Sequence, residues 1–299
     1  MIVYLLGADR SGTSFTAGCL YHLGGYFGGH MTRESNVMNP RGFFENNLAQ
    51  EITNELHDVI EPVRRGRHGL VNKLFWKYLS RGRGKWYKYH TFFDDPDWRF
   101  PSDRSLDDVD VITRAAMERL LADLDGGGVG VIKVPGMIYS FPFWRSLTMK
   151  MGLDFKIVAV FRNPASVARS MKGLAVNEGL PVRSERDYIK DWSLKNRLLL
   201  EWVDGAGKDG VEVLWSNFDW DGEYMLKRLE ENCGALGLVY DESRVRSFFD
   251  PGLRHHEASI DFLDDDNAKG IYRDLLKRSG SPGRLGEGAE QVAGRGKVS

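Results

Sequence analysis

The chain has only two cysteines, Cys19 and Cys233, far apart in 299 residues. They provide no disulfide framework and fit a reducing compartment. Long hydrophobic runs are also missing. The longest, such as 157–161, fall far short of the roughly 20 apolar residues that a membrane span needs. Net charge is nearly absent, because 41 Lys and Arg stand against 42 Asp and Glu. A protein that coats nucleic acid is far more basic, so anion recognition here has to be local. Residues 1–7 (MIVYLLG) lack a basic leader and run straight into a glycine-rich turn, so no signal peptide is expected. Internal repeats and clear linkers are missing too. What these absences leave is a soluble, cytoplasmic protein with no nucleic-acid partner, and its length suits one large domain.

The residues that are present alternate between two patterns. Residues 2–6 form a short continuous apolar run, as a strand buried on both faces does, and 129–134, 156–161 and 211–215 are further buried-strand candidates. Helical spacing of apolar residues appears over 15–23, 109–124, 164–174, 187–203 and 223–236. This alternation predicts an α/β protein, a three-layer αβα sandwich on a mostly parallel sheet. Residues 1–278 are expected to form its single domain. Two segments stand apart. Arg64 to Lys88, within an insert at about 61–105, carries nine Lys or Arg and no acidic residue, interleaved with Phe75, Trp76, Tyr78, Trp86 and Tyr87. Three readings of it stay open: a solvated loop, a lid over an extended or acidic acceptor, or a transient contact with anionic membrane surface. Residues 279–299 are rich in Gly, Ser and Arg, which predicts a flexible tail.

The first strand leads into Gly7-Ala8-Asp9-Arg10-Ser11-Gly12-Thr13-Ser14, the outline of a phosphate-binding loop between a strand and a helix. A loop built for Mg-ATP places Lys after the second glycine. Thr13 stands there instead, and the loop's one cation is Arg10. The strand at 156–161 ends in Phe161-Arg162-Asn163-Pro164, without the Asp of a metal-holding strand, so no metal is expected. Arg162 at that strand end and Ser170 on the following helix are placed to share one phosphate, a fork of donors from one and a hydroxyl from the other.

These two stretches resemble the paired signatures of the sulfotransferases that use 3′-phosphoadenosine 5′-phosphosulfate (PAPS), in particular bacterial members. The resemblance implies that Arg10, Ser11, Gly12, Thr13 and Ser14 hold the 5′-phosphosulfate. It gives Arg162 and Ser170 the 3′-phosphate. Asn39-Pro40-Arg41-Gly42-Phe43-Phe44-Glu45, Ile132-Lys133-Val134-Pro135 and Phe249-Asp250-Pro251-Gly252-Leu253-Arg254 are similar to further family stretches, in family order. They imply a carboxylate, Glu45, at the acceptor, a donor-side Lys133, and an Arg254 that closes over the nucleotide. Pro135 occupies the place where many cytosolic members have a catalytic His. The family's tyrosine near the adenine gives way to 214–218, where Trp215 is the candidate for stacking.

The function implied is transfer of a sulfonyl group from PAPS to a hydroxyl or amine of a glycan, lipid-linked sugar or small metabolite, with 3′-phosphoadenosine 5′-phosphate (PAP) as product. Arg10 is the cation expected at the leaving phosphate, and Lys133 the group able to stabilise and donate. Glu45 is the expected base. Its alternative is a surface residue capping a helix that starts near Asn46, which would pass the role to His30 or His57. His255 and His256 are expected nearer the nucleotide. Two other functions stay open: a P-loop kinase, and an inactive nucleotide-binding module.

Overall fold

A computed structural model describes residues 1–32, 41–60, 98–219, 222–248 and 265–281. Four parallel strands form the central sheet in the order β4-β1-β5-β6: β1 (Ile2–Gly7), β4 (Gly130–Ile132), β5 (Phe155–Phe161) and β6 (Val213–Asn217). Register runs Ile2 to Phe155 and on to Gly7 beside Val160, with Tyr4 beside Ile132 on the other edge of β1. The apolar runs are continuous because both faces are covered. Ile2, Tyr4, Leu6, Ile157, Ala159 and Phe161 enter one core, and Val3, Leu5, Val158 and Val160 enter the other.

The first core is closed by α2 (Asn47–Ile60), α3 (Val111–Gly126), α4 (Met137–Lys150), α5 (Pro164–Asn177), α6 (Glu185–Lys208) and α9 (Asp266–Ser279). The second is closed by α1 (Thr13–His22), α7 (Gly222–Leu236) and α8 (Glu242–Phe248). This is the three-layer α/β architecture expected. Each fully buried aliphatic or aromatic side chain contributes about 1.5–3 kcal/mol of transfer free energy, and the first core holds Trp144, Trp192, Tyr4 and Phe141 at under 2% exposure.

Caps explain several boundaries. Asn163 Oδ1 accepts the Ala165 and Ser166 amides, and Pro164 opens α5 where no amide is needed. Ser184 and Asp187 form a reciprocal capping box, which starts α6 at Glu185, two residues before the expected 187. α4 was not anticipated, since Pro142 lies inside it and Gly136, at φ 76°, begins it. Strand β4 stops at Ile132, so Lys133 lies just past its end and not within the expected 129–134.

The last part of the expected insert returns to the core. Trp98 is buried edge-on to Tyr139, and Phe100 packs on Phe143 and Trp202. Ser279, where composition places the start of a tail, is the last residue of α9 and is buried. Residues 64–88 and 282–299 lie outside the described residues. Among the described residues, no helix is long and apolar enough to cross a membrane.

Candidate functional site

The glycine loop leaves β1 at the carboxyl end of the sheet, where open parallel sheets bind ligands. Gly7 has no room for a side chain: a Cβ there would lie 2.4 Å from the Val160 carbonyl oxygen of β5. The chain then turns through two left-handed residues, Arg10 at φ 61° and Gly12 at φ 94°. Glycine adopts this conformation freely, whereas arginine does so only when its surroundings hold it there. Ser11 is fully buried between them, and its Oγ has no hydrogen-bond partner among the described residues. Helix α1 begins at Thr13 directly behind the loop, so the positive end of its dipole faces the turn.

Two networks tie this loop to the neighbouring strand ends. On the β5 side, Arg10 Nε–H donates to Ser170 Oγ of α5 at 3.0 Å. Burial lowers the Arg10 guanidinium from its ordinary pKa, and the charge of Asp9 acts the other way. On the β4 side, Lys133 Nζ donates to Ser14 Oγ at 3.1 Å, to the Phe43 carbonyl at 3.1 Å and to Glu45 Oε1 at 2.6 Å. The three ammonium protons therefore meet three acceptors. Lys133 is buried, the Glu45 side chain is 15% exposed, and Glu45 Oε2 accepts no hydrogen bond among the described residues.

Glu45 reaches Lys133 through a short antiparallel pair, β2 (Met31–Thr32) with β3 (Glu45–Asn46), in which Thr32 faces Glu45. The helix start belongs to its neighbour, since Asn46 Oδ1 accepts the Ala49 amide. Preceding it, Phe44 takes φ 53° and is buried against Tyr21 and Phe248, with ring centroids 5.6 Å away in both cases. That left-handed residue aims the Phe43 carbonyl and the Glu45 carboxylate at the same ammonium. The alternative bases are placed differently. His30 is exposed, and His57 Nε2–H donates to the Gly136 carbonyl at 3.0 Å, edge-on to Tyr139.

Arg162 is buried, with Nε 3.8 Å from Asp219 Oδ1 and its guanidinium 5.5 Å from the Phe218 ring centre. Asp219 also accepts the Asn163 amide at 2.5 Å and the Tyr272 hydroxyl of α9 at 2.8 Å. Phe218 in turn lies against the loop: a Cβ on Gly12 would sit 2.4 Å from its ring, and Phe15 is 5.5 Å away. The structure thus brings Arg10 and Ser170, and Ser14, Glu45 and Lys133, to one loop in two networks, with Arg162 beside it through Phe218.

Trp215 is not brought to the loop. Its ring meets Phe161 edge-on and lines an outer groove with Val203, Gly207, Val213 and Arg278. The physical reason is the alternation of β6, which turns Trp215 towards α6 and α9. Phe218, just past the strand end, is the aromatic ring at the turn. Sequence reading passed over Phe218, Asp219, Lys195 and Asp9. A usable signal existed for Lys195, because Asp191 lies four residues before it on the same helix face. Arg254, His255, His256, Asn39 and Pro40 lie outside the described residues.

No protein-family model matches the chain, and no curated protein matches it. Among solved structures, the sulfotransferase domain from the Synechococcus PCC 7002 olefin synthase aligns with it at a TM-score of 0.45 and 15% identity. The alignment covers 92% of this chain and 94% of that one.

Proposed function

We propose that the chain is a sulfotransferase that takes a sulfonyl group from PAPS and passes it to a hydroxyl or amine of a glycan, lipid-linked sugar or small metabolite. The observation that carries this reading is the double anchoring of the glycine loop. At one end Arg10 is bonded to Ser170, and at the other Ser14 is bonded to a Lys133 that also holds Glu45. A cation, backbone amides and a helix start converge where an anionic donor would lie, with a carboxylate adjacent.

In the reaction, the bond between sulfur and the bridging oxygen breaks as one forms between sulfur and the acceptor atom, and the acceptor proton goes to a base. Arg10, charged at any working pH, offsets the charge left on the phosphate oxygen. Glu45 takes the proton through its carboxylate, which Lys133 holds by one oxygen. Lys133 stabilises charge from the other side of the loop. Arg162, set by Asp219 and Phe218, and Ser170 recognise the 3′-phosphate.

Calorimetric titration with PAP, ADP, AMP and ATP tests the reading. PAP is expected to bind at least tenfold more tightly than the others, about 1.4 kcal/mol, and addition of a chelator leaves its binding intact. Equal affinity for PAP and ADP overturns the assignment. Tight ATP binding that requires magnesium indicates a kinase instead. PAP binding without transfer from labelled PAPS to any acceptor in a broad screen indicates an inactive binding module.

A further inference from the structure

A charge problem is built into the loop. Asp9 places a carboxylate immediately before Arg10, in a turn expected to receive an anion. Such a group repels an incoming phosphate and attracts the arginine meant for it. In the structure that carboxylate is paired with a lysine of α6. Lys195 of α6, with 3% exposure, donates to Asp9 Oδ2 and to Asp191 Oδ2, each at 2.6 Å. The Asp9 and Asp191 side chains are 19% and 16% exposed. Burial by itself lowers the Lys195 pKa, but Asp191 and Asp9 outweigh it and hold the ammonium well above the usual lysine value. The cation therefore persists across the working pH range.

Geometry links this trio to the site. Asp9 adjoins the left-handed Arg10, and the Arg10 side chain turns to Ser170. Fixing Asp9 against α6 fixes the residue from which that turn begins. Lys195 reaches the loop from the first-core side, the layer to which α5 and its Ser170 also belong.

We propose that Lys195 is a positioning residue for the anion site: by holding the Asp9 carboxylate on α6 with its ammonium it offsets that negative charge beside Arg10, so that the loop can receive an anionic ligand. The inference rests on reading the loop as a phosphate site, and it deepens that reading by naming what neutralises the loop's own acid. Asp191 serves as the second anchor that aims the ammonium.

The test compares Lys195→Met, Asp9→Asn and the Asp9→Asn/Lys195→Met double variant, with urea unfolding to verify folding. Affinity is measured by calorimetry for inorganic pyrophosphate and, separately, for PAP. Lys195→Met is expected to weaken both by about 10- to 100-fold, because an uncompensated carboxylate then faces Arg10 and the ligand. Asp9→Asn is expected to bind at least as tightly as the wild type. The decisive arm is the double variant, expected to return to within about threefold of wild type although it lacks the ammonium. A residue that merely ties α6 to the loop gives no such rescue. Wild-type affinity in Lys195→Met, or a double variant that fails to bind, overturns the proposal. If Lys195→Met does not fold, Lys195→Gln takes its place in both arms with the same expected outcomes. A wild-type chain that binds pyrophosphate but not PAP removes the nucleotide reading and leaves the Lys195 comparison readable on pyrophosphate. One that binds neither overturns both.

Discussion

Arg10 of the glycine loop and Ser170 of α5 are joined by a hydrogen bond, Nε–H to Oγ at 3.0 Å, across 160 residues of sequence. The loop after β1 and the helix after β5 are therefore joined as one unit. Preorganised donors of this kind save reorganisation on binding. Arg162, from the same β5 turn, is held separately by Asp219 and Phe218.

The first prediction follows from that separation. Arg162→Ala removes a charged donor and should weaken PAP binding by about 10- to 100-fold, the worth of one charge-assisted contact. Ser170→Ala removes a neutral hydroxyl and should cost less, about 3- to 10-fold. Calorimetry on the two variants checks the order. Unchanged affinity in Arg162→Ala would remove that arginine from the ligand site.

A second prediction concerns the proton. Glu45→Gln should leave PAP affinity nearly unchanged while turnover falls by about 10²–10⁴-fold, the usual worth of a general base. Arg10→Ala should instead impair both binding and turnover, because the same cation acts before and during transfer. Lys133 keeps an acceptor in Glu45→Gln, since the amide oxygen replaces a carboxylate oxygen. Near-normal kcat for Glu45→Gln at saturating acceptor would pass the role to another group.

A third prediction is structural. Gly7→Ala puts a methyl group 2.4 Å from the Val160 carbonyl oxygen, and a backbone atom held in a parallel strand pair has little room to retreat. Overpacking of this kind costs about 1–3 kcal/mol, to be read as a lower urea midpoint at unchanged slope. A loss below about 0.5 kcal/mol would show that the β1–β5 pair opens easily at its carboxyl end.

Much of this arrangement is legible in the residues themselves. Continuous apolar runs mark β1 and β5 because helices cover both sheet faces, and Asn163-Pro164 marks the start of α5 by its cap. Arg10, Lys133 and Glu45 can be picked out as chemistry, but their meeting through Ser14 cannot, because the left-handed turn at Phe44 carries no glycine to announce it. Trp215 is the aromatic candidate that the family resemblance implies. Only the facing of β6 shows that Phe218 takes the place beside Gly12. Helix α4 was hidden by Pro142, which falls in its second turn. The Asp9–Lys195 pair joins positions 186 apart, beyond the reach of any local pattern.

The last prediction turns on the two thiols. Cys19 and Cys233 are both buried in the core beneath α1 and α7. Burial pushes both pKa values up, with the neighbouring Cys233 adding to the effect on Cys19, and Cys233 is raised to about 12 by burial and the nearby Glu230. In the unfolded chain thiols ionise near about 8.5. A raised folded value means that the unfolded state loses its proton first as pH rises. The stabilising effect is thus complete below about pH 8.5 and is lost progressively above it, by roughly 1.4 kcal/mol per pH unit for each thiol. Urea unfolding of the wild type and of Cys19→Ala/Cys233→Ala, at about pH 7.5, 9 and 10, isolates this contribution, because other titrating groups are common to both. The double variant is expected to be less stable at neutral pH, from two small cavities, and to lose less stability between pH 9 and 10. In parallel, neither thiol of the native wild type should react with Ellman's reagent at neutral pH, and both should react in urea. Rapid labelling of the native protein, or parallel alkaline losses in the two proteins, would mean that this core opens to solvent far more readily than its packing implies.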